Sequence, residues 1–228
     1  MLVRFAAAIG TLGHSLDGYE LLSLDEIEPV FLHRQQAKLL SLRRLLGYRA
    51  AGVNAWTGGK GERVVPPHEE DSGNEELYVV VRGRAAFTVG DETADAPAGT
   101  LVHVPPQTHR AAIADEEGTI VLAVGGTPGR AFEVHGWDDW AIADALRREG
   151  RPDDGRAVLT AAMEAEPDSW ALAYNTACWE SLGGNADAAF ELLRRALRLD
   201  EAEVRKWAKD DTDLDPLRND SRWRELFG

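Results

Sequence analysis

Three of the histidines, His68, His103 and His109, lie in a stretch that also holds a run of acidic residues at positions 69–76. Imidazole nitrogens and carboxylate oxygens bind divalent metal ions, and the same groups transfer protons in catalysis. The remaining histidines have no partner at ligand spacing and are interpreted as structural: His14, His33 and His135. Any metal or proton chemistry is therefore expected within residues 68–109.

Other kinds of chemistry find no support in the sequence. There is no dinucleotide-binding glycine motif after a strand, no P-loop, no HExxH zinc motif and no nucleophile elbow. The single cysteine, Cys178, can form neither an intramolecular disulfide nor a thiolate zinc site. Cys178 lies at a packed position of a predicted helix and is interpreted as a small core residue.

The charge balance restricts the partners of the protein. The 228-residue chain holds 39 acidic and 25 basic residues, a formal net charge of -14. A surface this acidic repels phosphate backbones and anionic lipid, and we therefore expect neither nucleic acid nor membrane partners. We also expect a cytoplasmic location. The first residues, MLVRFAAAIGTLG, resemble a weak signal peptide but no clear cleavage site follows. Residues 1–19 are interpreted instead as an N-terminal arm.

Residues 20–130 are expected to form an antiparallel β-barrel or sandwich, because short β-prone runs alternate there with Gly, Pro and Asp. The uniformly apolar run Val79–Val81 predicts a strand buried on both faces. Predicted strands cover these segments: 48–57, 62–65, 77–82, 84–89, 101–104, 110–114 and 120–124. The glycine- and proline-rich segment 125–129 predicts a hinge.

Residues 136–228 have a helical pattern instead. Helices are predicted over 137–149, 152–165, 169–182 and 186–199, with one or two further helices in the tail. The pattern repeats, since Gly150 and Gly184 are 34 residues apart. This period, with small residues at Ala189 and Ala196, resembles the tetratricopeptide repeat. In the first copy, Gly155 replaces the Ala that the resemblance leads one to expect.

The β region resembles the cupin barrel over residues 48–125. In the first cupin motif His68 matches the first histidine, Glu70 replaces the second, and Glu76 stands six residues before a glycine. The second motif begins at Gly99 and continues through Pro105 to His109. In that motif, Gln107 stands where a glycine is usual, and one residue is missing before His109.

The resemblance implies a metal site in the barrel. His68, Glu76 and His109 would form a set of two histidines and one carboxylate, with Glu70 as the fourth ligand. Such a set suits Mn, Fe(II), Ni or Zn, and the second carboxylate favours the harder ions. Each of these side chains can also be a hydrogen-bonded or solvated residue that binds no metal. For His103 this is the favoured interpretation, and the alternative is that His103 serves as an extra metal ligand or as a general base.

Two function classes remain open. In the first, the barrel binds a small molecule or a metal without catalysis, and the repeats bind a protein partner. In the second, the protein is a metal-dependent cupin oxygenase or isomerase. We also predict a homodimer, in which residues 20–46 could add strands to a neighbouring barrel. The acidic repeats would bind a basic or amphipathic peptide, unless the tail of the chain fills their groove.

Overall fold

The computed structural model describes residues 21–70 and 73–228. The predicted N-terminal arm and His14 lie outside the described residues, as does Asp71. The chain divides into two compact units between Phe132 and Glu133. The first unit is a nearly closed β-barrel, and the second is helical.

The described residues of the first unit form ten strands. Their bounds are β1 Val30–Leu32, β2 Ala37–Leu40, β3 Gly52–Gly58, β4 Arg63–His68, β5 Glu75–Arg82, β6 Arg84–Val89, β7 Glu92–Pro97, β8 Leu101–Val104, β9 Arg110–Ala114 and β10 Thr119–Gly126. A short helix, α1 Leu42–Leu46, follows β2, and a 3-10 turn at Leu24–Glu26 precedes β1.

All the strands belong to one sheet with the order β7-β6-β9-β4-β2-β3-β10-β5-β8, and β1 pairs with β2. The pairs are antiparallel except for a single parallel contact between β2 and β4, at Ala37 and Arg63. A hairpin turn at Gly90 connects the paired strands β6 and β7, whereas Gly83 connects β5 and β6, which are not neighbours in the sheet. The expected antiparallel barrel is therefore confirmed in its architecture, with this one parallel contact added.

The inner face of the sheet carries the barrel core. Val80 lies opposite Val121, and Val121 lies opposite Trp56 on the next strand, so the three side chains share one face. Phe87 is completely buried on β6. Neighbouring residues along a strand face the other way, and Ala55 accordingly packs outside the barrel in a separate apolar cluster with residues of the 27–42 segment.

One expectation about this unit is wrong. The strand holding Val79–Val81 is not buried on both faces, because Val80 is inaccessible while Val81 is 45% exposed. Strand β2 lies between β3 and β4 of its own barrel, so the described strand of residues 20–46 that could add to a neighbouring barrel is β1, and this pairing stays a prediction. Strand β7 was not expected, since Thr93 is the one β-prone residue in its sequence ETADAP.

Six α-helices follow in the second unit. Their bounds are α2 Trp137–Arg148, α3 Pro152–Ala165, α4 Trp170–Leu182, α5 Ala186–Leu199, α6 Glu201–Ala208 and α7 Ser221–Phe227, with a 3-10 segment at Thr212–Leu217 between the last two. Pro152 opens α3, where its missing N–H costs nothing. The Ser169 hydroxyl caps α4 by accepting from the backbone N–H of Leu172.

Small residues let the helices approach closely. A Cβ at Gly155 on α3 would lie 2.8 Å from the carbonyl oxygen of Ala143 on α2, so even an alanine there would force the backbone to shift. Ala189 and Ala196 on α5 are completely buried against α4. These contacts explain the small residues at these positions. They do not establish the predicted tetratricopeptide character of the helices.

The tail of the chain covers one face of α4. The Tyr174 hydroxyl donates to Asp211 Oδ2 at 2.8 Å, and Cys178 contacts the same oxygen. Leu214 and Leu217 are buried in the same core. Burial raises the pKa of Cys178, in keeping with its interpretation as a core residue. Among the described residues, no helix has the length and apolarity needed to cross a membrane.

Candidate functional site

Three of the predicted ligands meet at one end of the barrel. His68 is the last residue of β4, Glu70 lies in the loop that follows, and Glu76 belongs to β5. One ligand atom from each lies within 4.8 Å of those of the other two. The His68 Nε2 atom is 3.2 Å from Glu76 Oε2 and 3.8 Å from Glu70 Oε1. The structure therefore brings together His68, Glu70 and Glu76.

The imidazole of His68 is oriented by the backbone. Its Nδ1 atom lies 2.7 Å from the carbonyl oxygen of Pro66, which can only accept, so Nδ1 carries a proton. Its Nε2 atom then faces the two carboxylates, with a lone pair when the ring is neutral. A metal-ligating histidine commonly donates its other N–H to a backbone carbonyl in this way. The residues present therefore fit a divalent cation.

The carboxylate of Glu76 is held by several donors. Its Oε2 atom accepts from the Tyr78 hydroxyl at 2.5 Å and lies 3.3 Å from Arg110 Nε. Burial alone raises the pKa of Glu76, but the hydrogen bonds from His68 and Tyr78 outweigh it, so its pKa lies below the usual value. Gly125 lies opposite Glu76, and a Cβ there would come within 3.2 Å of its Cγ. The site is thus built around an ionised Glu76.

The position predicted for the second histidine is occupied by arginine. Arg110, the first residue of β9, pairs directly with His68 across the sheet, and its side chain is completely buried beside Glu76. His109 is half-buried and does not belong to the cluster found among the described residues. Adjacent residues of an extended chain face opposite sides, so Arg110 and His109 cannot both point inward.

His103 and Glu75 lie on the other side of the sheet. His103 Nε2 is 3.1 Å from Glu75 Oε2, and both side chains are about half exposed. His103 pairs with Leu77, whose side chain is also exposed. Glu75 and Glu76 are neighbours on β5 and face opposite ways, which separates the outer pair from the inner cluster.

Part of the barrel matches a known protein family. Residues 56–126 match the protein family described as Cupin domain. This matched segment of the barrel is a cupin domain. No curated protein matches the sequence.

Solved structures also resemble the chain. A cupin protein from Bacteroides fragilis has 20% identity, covers 52% of this chain and 92% of its own, and has a TM-score of 0.40. KdgF from a Halomonas species has 15% identity over 48% of this chain and 94% of its own, with a TM-score of 0.39. An RmlC-like cupin from Desulfovibrio desulfuricans has 21% identity over 46% and 96%, with a TM-score of 0.36.

The sequence did contain a signal for Arg110. Relative to the second cupin motif, one residue is missing before His109, so the motif position itself falls on Arg110. Gln107, which stands where the motif has glycine, has a φ of 57°, the left-handed conformation that glycine adopts most easily. The turn of the cupin domain is therefore kept at its usual length, and Arg110 takes the position of the histidine.

The His68–Glu76 pair predicts a pH-dependent stability for the cupin domain. Burial alone lowers the pKa of His68, but hydrogen bonding to Glu76 and to the Pro66 carbonyl outweighs it, so its pKa lies above the usual value. The protonated ring therefore stabilises the fold fully below about pH 6.5, and this contribution is lost as pH rises through the folded-state pKa.

In metal-free protein we therefore expect His68→Gln to cost more stability at pH 6 than at pH 8. Urea denaturation in the presence of EDTA at the two pH values measures the difference. An equal cost at both values would contradict the interaction of a protonated His68 with Glu76.

Proposed function

We propose that the cupin domain binds a divalent cation through His68, Glu70 and Glu76, together with a small molecule in the barrel. The observation that carries the proposal is the convergence of an oriented imidazole nitrogen and two carboxylates within 4.8 Å. Without a cation, the two carboxylates repel each other, and a protonated His68 and the Arg110 guanidinium beside Glu76 offset their charge. One nitrogen and two carboxylates favour a hard ion such as Mn²⁺ or Fe²⁺ over softer ones.

The ligand set differs from the one predicted on sequence. That set held His68, Glu76, His109 and Glu70, and we now propose that Arg110 replaces His109 beside the ion. Three protein ligands leave coordination positions open, and a cation so bound can polarise a small molecule or lower the pKa of a bound water. These open coordination positions favour a metal-dependent enzyme, an oxygenase or isomerase, as the second candidate function. In either case Tyr78 and Arg110 keep Glu76 ionised and oriented.

Metal titration of ligand variants tests this proposal. We expect the purified protein to bind about one Mn²⁺ per chain, and His68→Gln or Glu70→Gln to weaken the affinity at least tenfold. His103→Gln is the matched control, because its side chain lies outside the barrel. Isothermal titration calorimetry with Mn²⁺, together with elemental analysis, measures both quantities.

His109→Gln separates the two ligand sets. From the structure we expect this variant to keep its affinity for Mn²⁺, whereas the set predicted on sequence requires a loss. Full metal content in a His68→Gln/Glu70→Gln double variant would show that the proposed ligands are wrong.

For the helical unit we propose a self-contained role rather than an open peptide groove. The segment around Asp211 covers the face of α4 that carries Tyr174 and Cys178. This contact supports the alternative in which the tail of the chain fills the groove. The division into domains at 20–130 and 136–228 and the homodimer remain proposals from the sequence.

A further inference from the structure

The guanidinium of Arg110 is buried with most of its donors unused. The side chain is inaccessible to solvent, yet it makes one hydrogen bond, from Nη2 to the carbonyl oxygen of Pro105 at 3.2 Å. Within the part of the chain that the structure describes, neither Nε nor Nη1 has a hydrogen-bond partner, although Nε lies 3.3 Å from Glu76. Buried arginine normally satisfies its five N–H groups, so these bare donors indicate a missing acceptor.

Arg110 belongs to the same site as the proposed metal ligands. It pairs with His68 across β4 and β9 and forms an ion pair with Glu76. His68 and Glu70 are about one-third exposed, whereas Arg110 is completely buried. The cluster is therefore open to solvent on the side of His68 and Glu70, and Arg110 forms part of its inner wall.

The charges of the site favour an anion as the missing acceptor. Glu70 and Glu76 carry two negative charges, which a divalent cation balances, and Arg110 then leaves one positive charge. A carboxylate matches the planar fork of the guanidinium and can also approach a cation. This argument rests on the proposed function, because without the cation the two glutamates outweigh Arg110.

A second unpaired polar atom faces the barrel interior. Asn54 lies opposite Ala123, which lies opposite Tyr78, so the Asn54 and Tyr78 side chains share one face. The Oδ1 atom of Asn54 is buried and has no hydrogen-bond partner among the described residues. An unpaired acceptor and unpaired donors that face the same barrel interior call for a ligand that both accepts and donates. Trp56 and Phe87 fill the barrel core, which restricts the ligand to a small one.

We propose that the barrel binds a small hydroxycarboxylate, with its carboxylate on Arg110 and its hydroxyl donating to Asn54. Among ordinary small ligands, this class supplies an anionic acceptor and a neutral donor in one molecule. Water could satisfy the same atoms, but a site that only holds water would not distinguish an anionic compound from its neutral analogue. The experiment therefore compares the two kinds of compound.

Calorimetry with glycolate, acetate and glycolamide on the Mn²⁺-loaded full-length protein tests the proposal. We expect saturable binding of glycolate, and at least tenfold weaker binding of glycolamide, its neutral analogue. Arg110→Lys should weaken glycolate binding at least tenfold while keeping the charge. Asn54→Ala should weaken glycolate binding but leave acetate binding unchanged. Arg84→Lys, at an exposed arginine that pairs with Asp95, is the matched control.

The outcomes separate this proposal from the metal site. Metal content is measured on the same samples, so bound Mn²⁺ without glycolate binding overturns the hydroxycarboxylate and leaves the metal proposal standing. If the protein takes up no Mn²⁺ in the titration but still binds glycolate in a way that depends on Arg110, the metal proposal is overturned and the hydroxycarboxylate is supported. Equal affinity of the wild-type protein for glycolate and glycolamide overturns the hydroxycarboxylate proposal, and this result does not depend on whether the variants fold.

Discussion

Glu76→Gln is expected to lower the free energy of unfolding by about 3–5 kcal/mol, because it leaves the buried Arg110 without its carboxylate partner. The two side chains form an ion pair at 3.3 Å, with Arg110 inaccessible and Glu76 15% exposed. Tyr78 donates to the same carboxylate oxygen, so the substitution also weakens that hydrogen bond. Urea denaturation of metal-free protein, followed by far-ultraviolet circular dichroism, measures the loss.

Two further variants make this result specific. Glu75→Gln is the matched control on the same strand, where the exposed pair with His103 is worth about 1 kcal/mol or less. A Glu76→Gln/Arg110→Met double variant removes both buried charges and should recover part of the stability. If Glu76→Gln costs no more than Glu75→Gln, Arg110 does not depend on Glu76 for its burial.

Phe190→Ala should lower the stability of the helical unit by about 3–5 kcal/mol, the usual cost of removing a buried aromatic ring. Phe190 lies on α5 and is completely buried in the core that joins α4, α5, α6 and the tail. The guanidinium carbon of Arg222 lies 4.3 Å from the ring centroid, so the substitution also removes a cation–π contact. Thermal or urea unfolding, followed by the circular dichroism signal of the helices, measures the effect.

Leu199 on the same helix supplies the control. Its side chain is 39% exposed, and Leu199→Ala should change the stability by about 0.5 kcal/mol or less. Because the protein has two compact units, the unfolding transition of the helical unit must be separated from that of the barrel before the free energies of unfolding of the variants are compared. A loss below about 1 kcal/mol for Phe190→Ala would contradict the tight packing around its ring.

Local sequence patterns predicted many elements of this protein. The bounds of β6, β8 and β9 agree with those expected, as do those of α3 and α5. In these segments the side-chain period and the flanking Gly and Pro residues indicate the same structure, and no distant contact is needed to decide it. Strand β7 lacks such a pattern and exists because it pairs with β6 along its full length.

Part of the site was also predictable from the sequence. The spacing of His68, Glu70 and Glu76 placed them on one loop and on the strands that flank it, β4 and β5, which are consecutive in the chain although they are not neighbours in the sheet. Glu76 was chosen over Glu75 because it stands six residues before Gly83, as the cupin motif requires, and the structure places Glu76 inside and Glu75 outside.

The remaining part of the site depends on contacts between distant strands. Which of His109 and Arg110 faces the interior is decided by the register of β9 against β4, where Arg110 pairs with His68. A shift of one residue in a strand exchanges its inward and outward side chains, and residue types alone do not specify that register. The sequence by itself therefore determined a barrel with acidic and histidine candidate ligands and a motif position that falls on Arg110, whereas the tertiary structure decided that the side chain of Arg110 is buried beside Glu76.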